Sequence, residues 1–392
     1  MLKDLSASAI IAGLMAVLVS YSGPLAILIH AADQADVSVD MLTSWIWAIS
    51  IGAAVSGIYL SWKLKIPVVT AWSAPGTVLL VSLFPELSIH EAVSAYMTAA
   101  MIIVFIGMTG MFDHIMRLIP TGVAAAMMAG ILFEFGLRAF HVLESDTLLL
   151  LLMLTAFIFL KQIFRVYFLV LLMLVGVLLS LLMLDVSFQG FQLSLARPQF
   201  IEPHWTLSST LSLALPLVIV SLSGQFLPGL VILKIAGYCS ISPKIISVTG
   251  LISLPMAFFG GITNVIAAIT ASICTSADSH PDKDKRYIAG IANGIFYLIG
   301  GIFAGSIVIF FQLFTAQLIS IIAGFALITA IGSSISVFSA EKDYLDASLI
   351  TFLITSSGIS ILGIGAAFWG VVLGCAAYYL SSVIKYFKHI YE

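Results

Sequence analysis

Hydroxyl, amide and aromatic side chains gather around glycine and proline positions in two otherwise apolar segments of the chain, where we predict breaks at Gly23-Pro24 and at Gly224 to Gly229. The residues that flank these positions are Tyr21, Ser22, Ser223, Gln225 and Phe226. Hydroxyl and amide groups bind an anion without adding a charge, and aromatic rings offer a flat apolar surface. A pocket with an apolar body and a polar end is typical of small-molecule sites. Each ring taken alone also suits ordinary packing.

Two short, interrupted apolar segments, residues 67–83 and 262–274, form a second group of candidates. β-Branched residues precede Pro75, which lacks an N–H, so we predict a short extended stretch followed by a half-helix in the first segment. Gly260-Gly261 supplies a similar opening to the second segment. Half-helix N-termini would present unpaired N–H groups to a small anion. The alternative is that these glycines and prolines only allow tight packing. The candidate binding residues here are Trp72, Ser73, Gly76, Thr263 and Asn264.

Ionisable residues within the apolar segments are few, and two of them are candidates for binding a proton. Glu134 precedes Arg138 by four positions on one helical face, so a structural ion pair is the alternative role. Asp278 lies beside His280 just after the second interrupted segment. No Lys or Arg falls in the middle of a predicted segment. An anion would therefore meet backbone dipoles and neutral polar groups.

Composition places these residues in a membrane protein. Of the 392 residues, 61% are hydrophobic and 9% are charged, and the mean hydropathy is +1.16, far from a soluble domain. The three cysteines lack the CxxC spacing of zinc sites, and no metal, cofactor or nucleic acid is expected. HExxH, GxSxG and paired intramembrane aspartates are absent, which argues against an intramembrane enzyme. The bilayer is the expected surrounding.

Fourteen apolar segments follow from the hydropathy pattern, several of them too short to cross ~30 Å of hydrocarbon as straight helices. They span residues 8–30, 41–61, 67–83, 92–112, 121–140, 147–161, 164–184, 208–232, 244–260, 262–274, 286–311, 314–334, 345–358 and 360–382. With both termini in the cytoplasm, every basic residue except Arg138 and Arg197 falls on the cytoplasmic side, as the positive-inside rule predicts.

Short matches between the two halves of the chain indicate an internal repeat. Ser22-Gly23 matches Ser223-Gly224, Thr70-Ala71 matches Thr270-Ala271, and residues 129–132 resemble residues 323–326. Seven segments per half is an odd number, so the second half must enter the membrane inverted. We therefore predict an all-α polytopic membrane protein of fourteen transmembrane segments, a seven-plus-seven inverted repeat with segments 3 and 10 broken, which is a plan of secondary transporters.

Several runs of residues resemble the bacterial benzoate:proton symporter family, the BenE-type benzoate transporters. The runs are residues 67–76, 268–274, 280–286, 295–298 and 363–370. The resemblance extends over almost the whole chain. It implies proton-coupled import of benzoate across the bacterial inner membrane, a fold similar to the nucleobase permeases, and no cofactor.

The resemblance also implies a division into two domains that move against each other. A core domain would comprise residues 1–118 and 205–312, and a gate domain residues 119–204 and 313–392. Gln225 stands where the nucleobase permeases carry an acidic residue, and a neutral amide suits an anionic substrate. The proton-binding group is then unassigned, with Glu134 and Asp278 as candidates. The alternative substrate is a nucleobase or another small anion. A homodimer formed through the gate domain is possible on this fold.

Overall fold

The computed structural model describes residues 4–84, 86–183, 193–238 and 242–391. It is almost entirely helical, and the helices are numbered here in chain order. Their bounds are α1 Ala7–Ser22, α2 Pro24–Gln34, α3 Val39–Leu64, α4 Ala74–Leu83, α5 Ile89–Thr109, α6 Phe112–Leu118, α7 Thr121–His141, α8 Thr147–Ile163, α9 Phe168–Met183, α10 Leu207–Ile235, α11 Ser242–Ala257, α12 Ala268–Thr275, α13 Tyr287–Ile302, α14 Ala304–Gln312, α15 Ala316–Ala340, α16 Leu345–Ser356 and α17 Ala366–Tyr391.

Two three-residue strands, β1 (Thr70–Trp72) and β2 (Asn264–Ile266), pair antiparallel in the interior. β1 leads into the short helix α4, which Ser73 caps and in which Pro75 lies in the first turn, where its missing N–H costs nothing. β2 leads into the short helix α12. The predicted extended stretch followed by a half-helix is therefore confirmed in both interrupted segments.

Helix α10 differs from the prediction of a break near Gly224. It continues from Leu207 to Ile235, but two of its turns are π-helical, Thr210–Ala214 and Leu222–Phe226. Pro216 and Pro228 each lie just beyond one of these turns. Because proline cannot donate an N–H, the preceding turn widens to an i→i+5 pattern and the helix goes on. By contrast, α1 and α2 are separated at Gly23, as predicted.

Several helices pack against one another in pairs. Helix α3 lies along α13, α5 lies along α11, and α7 lies against both α15 and α16. Helices α13 and α14 meet at a 70° bend. In the described part of the chain seven helices are long and apolar enough to cross a membrane, or eight if this bent pair counts as one span. The fourteen-segment count stays a prediction.

Candidate functional site

Three aromatic side chains meet beside the strand β1, and we call them the aromatic cluster: Tyr21, Trp72 and Tyr297. The rings of Tyr21 and Trp72 stack with centroids 5.9 Å apart. The ring of Tyr297 lies edge-on to both, at 5.6 Å from Tyr21 and 6.2 Å from Trp72. The cluster joins the end of α1, the strand β1 and the middle of α13, which come from distant parts of the chain.

Polar atoms of the aromatic cluster are only partly paired. The Tyr21 hydroxyl lies 2.6 Å from the Ser50 hydroxyl of α3. The indole N–H of Trp72 is buried and has no hydrogen-bond partner among the described residues. A buried donor left unpaired costs about 1–3 kcal/mol, so it favours a ligand that brings an acceptor. The Tyr297 hydroxyl is likewise buried without a partner among the described residues. The cluster therefore offers apolar faces, an unused indole N–H and an unused hydroxyl.

Trp72 and Asn264 are direct cross-strand partners in the β1–β2 pair. Asn264 is fully buried, its backbone N–H donates to the Ser253 hydroxyl at 2.8 Å, and its side-chain oxygen has no partner among the residues that the structure describes. An added Cβ at Gly52 would come within 2.3 Å of the Asn264 amide nitrogen, so glycine is required for this close approach. Sequence-predicted Trp72 and Asn264 are thus neighbours.

The two half-helix N-termini differ in how they are capped. At α4 the Ser73 hydroxyl accepts from the Gly76 N–H at 3.2 Å, so two predicted site residues satisfy one another. The Ser73 N–H donates to the carbonyl of Thr263, whose hydroxyl lies 3.4 Å from that of Ser221. At α12 no side chain of the described residues caps the first turn. Of these two termini, that of α12 is therefore the one whose first-turn N–H groups are open to a ligand.

The remaining predicted residues lie on α1 and α10. The hydroxyls of Ser22 and Ser223 donate to carbonyls of their own helices, at 3.0 and 2.7 Å. Gln225 is half-buried and makes no hydrogen bond within the described ranges. Phe226 is fully buried and no described ring contact joins it to the aromatic cluster. Tyr297 supplies the third ring instead.

The two predicted proton-binding residues, Glu134 and Asp278, have different surroundings. Glu134 lies 3.4 Å from Arg138 on α7, and both side chains are part-exposed. This contact is the structural ion pair expected as the alternative role of Glu134. Arg138 also lies 3.3 Å from Nε2 of His30 on α2. Asp278 is exposed in the turn after α12. The geometry links Glu134 to a network and leaves Asp278 at the surface.

Arg286 ties the turn after α12 to the helix itself. Its guanidinium donates to the carbonyl of Thr275 at 2.7 Å and to that of His280 at 2.8 Å. A cation at a helix C-terminus also offsets the negative end of the helix dipole. In the same turn, Lys285 holds the pKa of Asp282 below its usual range through an ion pair at 3.1 Å. This turn therefore fixes the end of α12 remote from the strands.

Sequence reasoning missed Tyr297, Ser50 and His30. A tyrosine within the glycine-rich run 287–302 is a polar group in an apolar helix, which is the signal that could have singled out Tyr297. Nothing in the sequence pairs it with Tyr21. No group of three or more His, Cys, Asp or Glu side chains that could hold a metal ion lies within the described residues.

Comparison with known proteins identifies the family. The family model "Benzoate membrane transport protein" matches residues 3–380. The chain belongs to this family. A benzoate membrane transport protein of Acinetobacter baylyi (strain ATCC 33305 / BD413 / ADP1) is 52% identical over 378 residues, covering 96% of each chain. The inner membrane protein YdcO of Escherichia coli K12 is 36% identical over 375 residues, again covering 96% of each.

Solved structures similar in fold are those of anion carriers. The transmembrane domain of the cyanobacterial bicarbonate transporter BicA matches with a TM-score of 0.58 at 14% identity, covering 95% of this chain and 96% of that one. A murine Slc26a9 anion transporter in the inward-facing state matches at 0.64 and 12% identity, covering 98% and 69%. These structures do not support the predicted likeness to the nucleobase permeases.

Together, these comparisons and the apolar helices establish the coarse assignment. The protein is a multi-pass inner-membrane protein of a membrane transporter family, not an enzyme, with a transporter fold like that of BicA.

Proposed function

We propose that this protein imports benzoate or a similar small aromatic carboxylate together with a proton, by alternating access. The observation that carries the proposal is the aromatic cluster with its unpaired Trp72 N–H, located where the two broken segments meet. A benzoate-like anion has one flat apolar ring and one carboxylate acceptor. The cluster matches these two features with two stacked rings and two unpaired donors, the Trp72 N–H and the Tyr297 hydroxyl.

In the proposed complex the carboxylate accepts from the Trp72 N–H and from the uncapped first turn of α12. The ring lies against Tyr21 and Tyr297. The full set of proposed binding residues is Tyr21, Ser22, Trp72, Ser73, Gly76, Ser223, Gln225, Phe226, Thr263 and Asn264, with Tyr297 added. Ser22 and Ser223 first have to release the carbonyls of their own helices.

Movement would occur between the core domain (residues 1–118 and 205–312) and the gate domain (residues 119–204 and 313–392). Two contacts across this boundary join corresponding helices of the proposed repeat. Met128 of α7 packs against Gly224, and Ala326 of α15 packs against Gly23. The pairing of α3 with α13 and of α5 with α11, around the β1–β2 pair, is what an inverted seven-plus-seven repeat would produce.

In the proposed orientation both termini are cytoplasmic, because this places nearly all basic residues inside. Glu134 then lies toward the outer surface and Asp278 toward the cytoplasm. These two carboxylates remain the proposed proton-coupling candidates, and a homodimer through the gate domain stays a prediction.

Uptake of labelled benzoate into proteoliposomes tests the proposal. An inward proton gradient at constant membrane potential is expected to drive saturable accumulation, with leak of the neutral acid measured in protein-free vesicles. Protein-dependent uptake that does not respond to the proton gradient would contradict the proposed coupling to protons. The absence of any protein-dependent uptake would contradict benzoate as the substrate.

A small inorganic anion is the second candidate, because the fold is similar to that of a bicarbonate transporter. A competition panel of unlabelled benzoate, bicarbonate, chloride and uracil separates the candidates. Benzoate alone is expected to compete at low concentration, since the aromatic cluster gives no advantage to an ion without a ring.

The Trp72→Phe variant tests the donor directly. Phenylalanine keeps a ring against Tyr21 but removes the indole N–H, so we expect roughly tenfold weaker benzoate binding from the loss of one hydrogen bond to a charged acceptor. The free energy of unfolding should not fall by the same amount as the free energy of binding, because the Trp72 N–H has no partner among the described residues that the substitution could remove. The measurement is a benzoate titration of the purified protein, followed by a thermal melt.

Unchanged affinity in Trp72→Phe would contradict the placement of the carboxylate. The matched control is Trp369→Phe, since the Trp369 indole already donates to the carbonyl of Ile361 at 3.1 Å, far along the chain from the cluster. This control is expected to bind benzoate as the wild type does.

A further inference from the structure

A polar network connects α2 and α7 at their outer ends in the proposed orientation. Nε2 of His30 lies 3.3 Å from a guanidinium nitrogen of Arg138, which lies 3.4 Å from Glu134. The ring of Phe135 packs edge-on against His30 at 5.4 Å. Because α2 belongs to the proposed core and α7 to the proposed gate, this contact crosses the boundary at which the two would separate.

A cavity of about 170 Å³ lies beside His30 at the same end of the molecule. It is formed by α2, α14 and the starts of α3 and α15, so it too lies between the proposed core and gate. Its lining includes His30, Asp33, Val308, Phe311 and Gln312. Asp33 and Gln312 are exposed, whereas Val308 is 1% exposed. His30 is thus reached from the outer water on one side and held by Arg138 on the other.

The charged groups around His30 are few. The charges of Arg138 and Asp33 act directly on the His30 imidazole, and Glu134 acts on it through its ion pair with Arg138. Asp40 begins α3 and is exposed. The other helices packed against α2, namely α1, α4, α14 and α15, carry no Lys, Arg, His, Asp or Glu between their ends. The state of the contact therefore depends mainly on the imidazole, since arginine stays protonated.

Protonation of His30 would remove this contact. An Arg138 guanidinium has only donors, so it bonds Nε2 of His30 only while that nitrogen is unprotonated and accepts. Once the imidazole takes a proton from the outer water it has two N–H donors and a positive charge, and the two cations repel. Histidine is the side chain whose ordinary titration falls near neutral pH.

We infer that His30 is the residue through which outside protons open the outer side of the protein, a role separate from that of the carboxylate proposed to bind the transported proton. Neutral His30 holds α2 to α7 and keeps the outer side closed. When His30 is protonated, Arg138 loses this contact and keeps its ion pair with Glu134, and the cavity beside Val308 opens. The inference rests on the proposed function for its role in symport, but the gate movement itself can be measured without substrate.

Two readouts test this inference in proteoliposomes. The first is initial benzoate uptake against outside pH at fixed inside pH. The second is labelling of a Val308→Cys variant, in a background with its native cysteines replaced, by a membrane-impermeant maleimide without benzoate. Labelling rates are divided by those of a free thiol peptide at each pH. With His30 present, acidification outside is expected to raise normalised labelling several-fold.

His30→Gln is expected to remove the pH dependence and keep labelling low, because a glutamine oxygen accepts from Arg138 and does not titrate. Arg138→Met removes the donor and is expected to give high labelling at both acid and neutral pH. The matched control is His141→Gln, an exposed histidine at the end of α7, which should behave as the wild type. Opposite phenotypes of the two variants also exclude misfolding as the cause.

The outcomes separate the inference from the proposed function. Labelling that responds to pH through His30, without benzoate uptake, would overturn the substrate and support the inference. Benzoate uptake with normal proton stimulation in His30→Gln, together with a wild-type labelling profile, would overturn the inference and leave symport standing.

Discussion

Gly300→Ala is expected to lower benzoate uptake about thirtyfold. An alanine Cβ at this position of α13 would come within 2.5 Å of the Tyr21 hydroxyl and 2.8 Å of its ring. Tyr21 must then leave its place, losing the contact with Ser50 and the stacking on Trp72. One hydrogen bond and one aromatic contact are together worth about 2 kcal/mol, which converts to the stated loss of affinity. Labelled uptake at low benzoate concentration is the measurement.

The control for this variant is another helical glycine. Gly332 lies in α15 and an added Cβ there meets nothing within 4 Å. Both substitutions favour the helix by about 1 kcal/mol, since alanine is the better helix former, so neither is expected to unfold the protein. Equal uptake by Gly300→Ala and Gly332→Ala would mean that the aromatic cluster does not bind the substrate.

Arg286→Gln is expected to abolish uptake and to lower the melting temperature by several degrees. The substitution removes the donors that hold the carbonyls of Thr275 and His280. For a half-exposed arginine these bonds contribute about 2 kcal/mol together. The free α12 would shift along its axis, and its N-terminus would no longer face the strand β2. The melting curve and uptake are measured on the same preparation.

Arg286→Lys should restore little of either property, because an ammonium group cannot reach both carbonyls with the fixed spacing of a guanidinium. The neighbouring part-exposed residue provides the control. Lys285→Gln breaks only the surface ion pair with Asp282 and is expected to change stability by less than about 0.5 kcal/mol. Full uptake by Arg286→Gln would show that the turn after α12 does not position the half-helix.

Much of the secondary structure follows from local chemistry. Pro75 prevents a continuous helix through residues 67–83, and the β-branched residues before it favour an extended backbone. The strand β1 and the short helix α4 are therefore predictable from the sequence. The break at Gly23-Pro24 followed in the same way. The continuity of α10 did not, because a π-helical turn depends on how a helix accommodates a proline within its packing.

The membrane class, the family and the two broken segments could be predicted from the sequence, because hydropathy, proline chemistry and residue runs are local properties. Which side chains meet could not be predicted in this way. Tyr297 lies 276 positions after Tyr21, and no periodicity relates them, yet close packing of α13 on both α1 and α3 puts Tyr297 against Tyr21 and Trp72. The same is true of His30 and Arg138. Contacts between distant segments depend on helix packing, which the order of residues along one segment does not reveal.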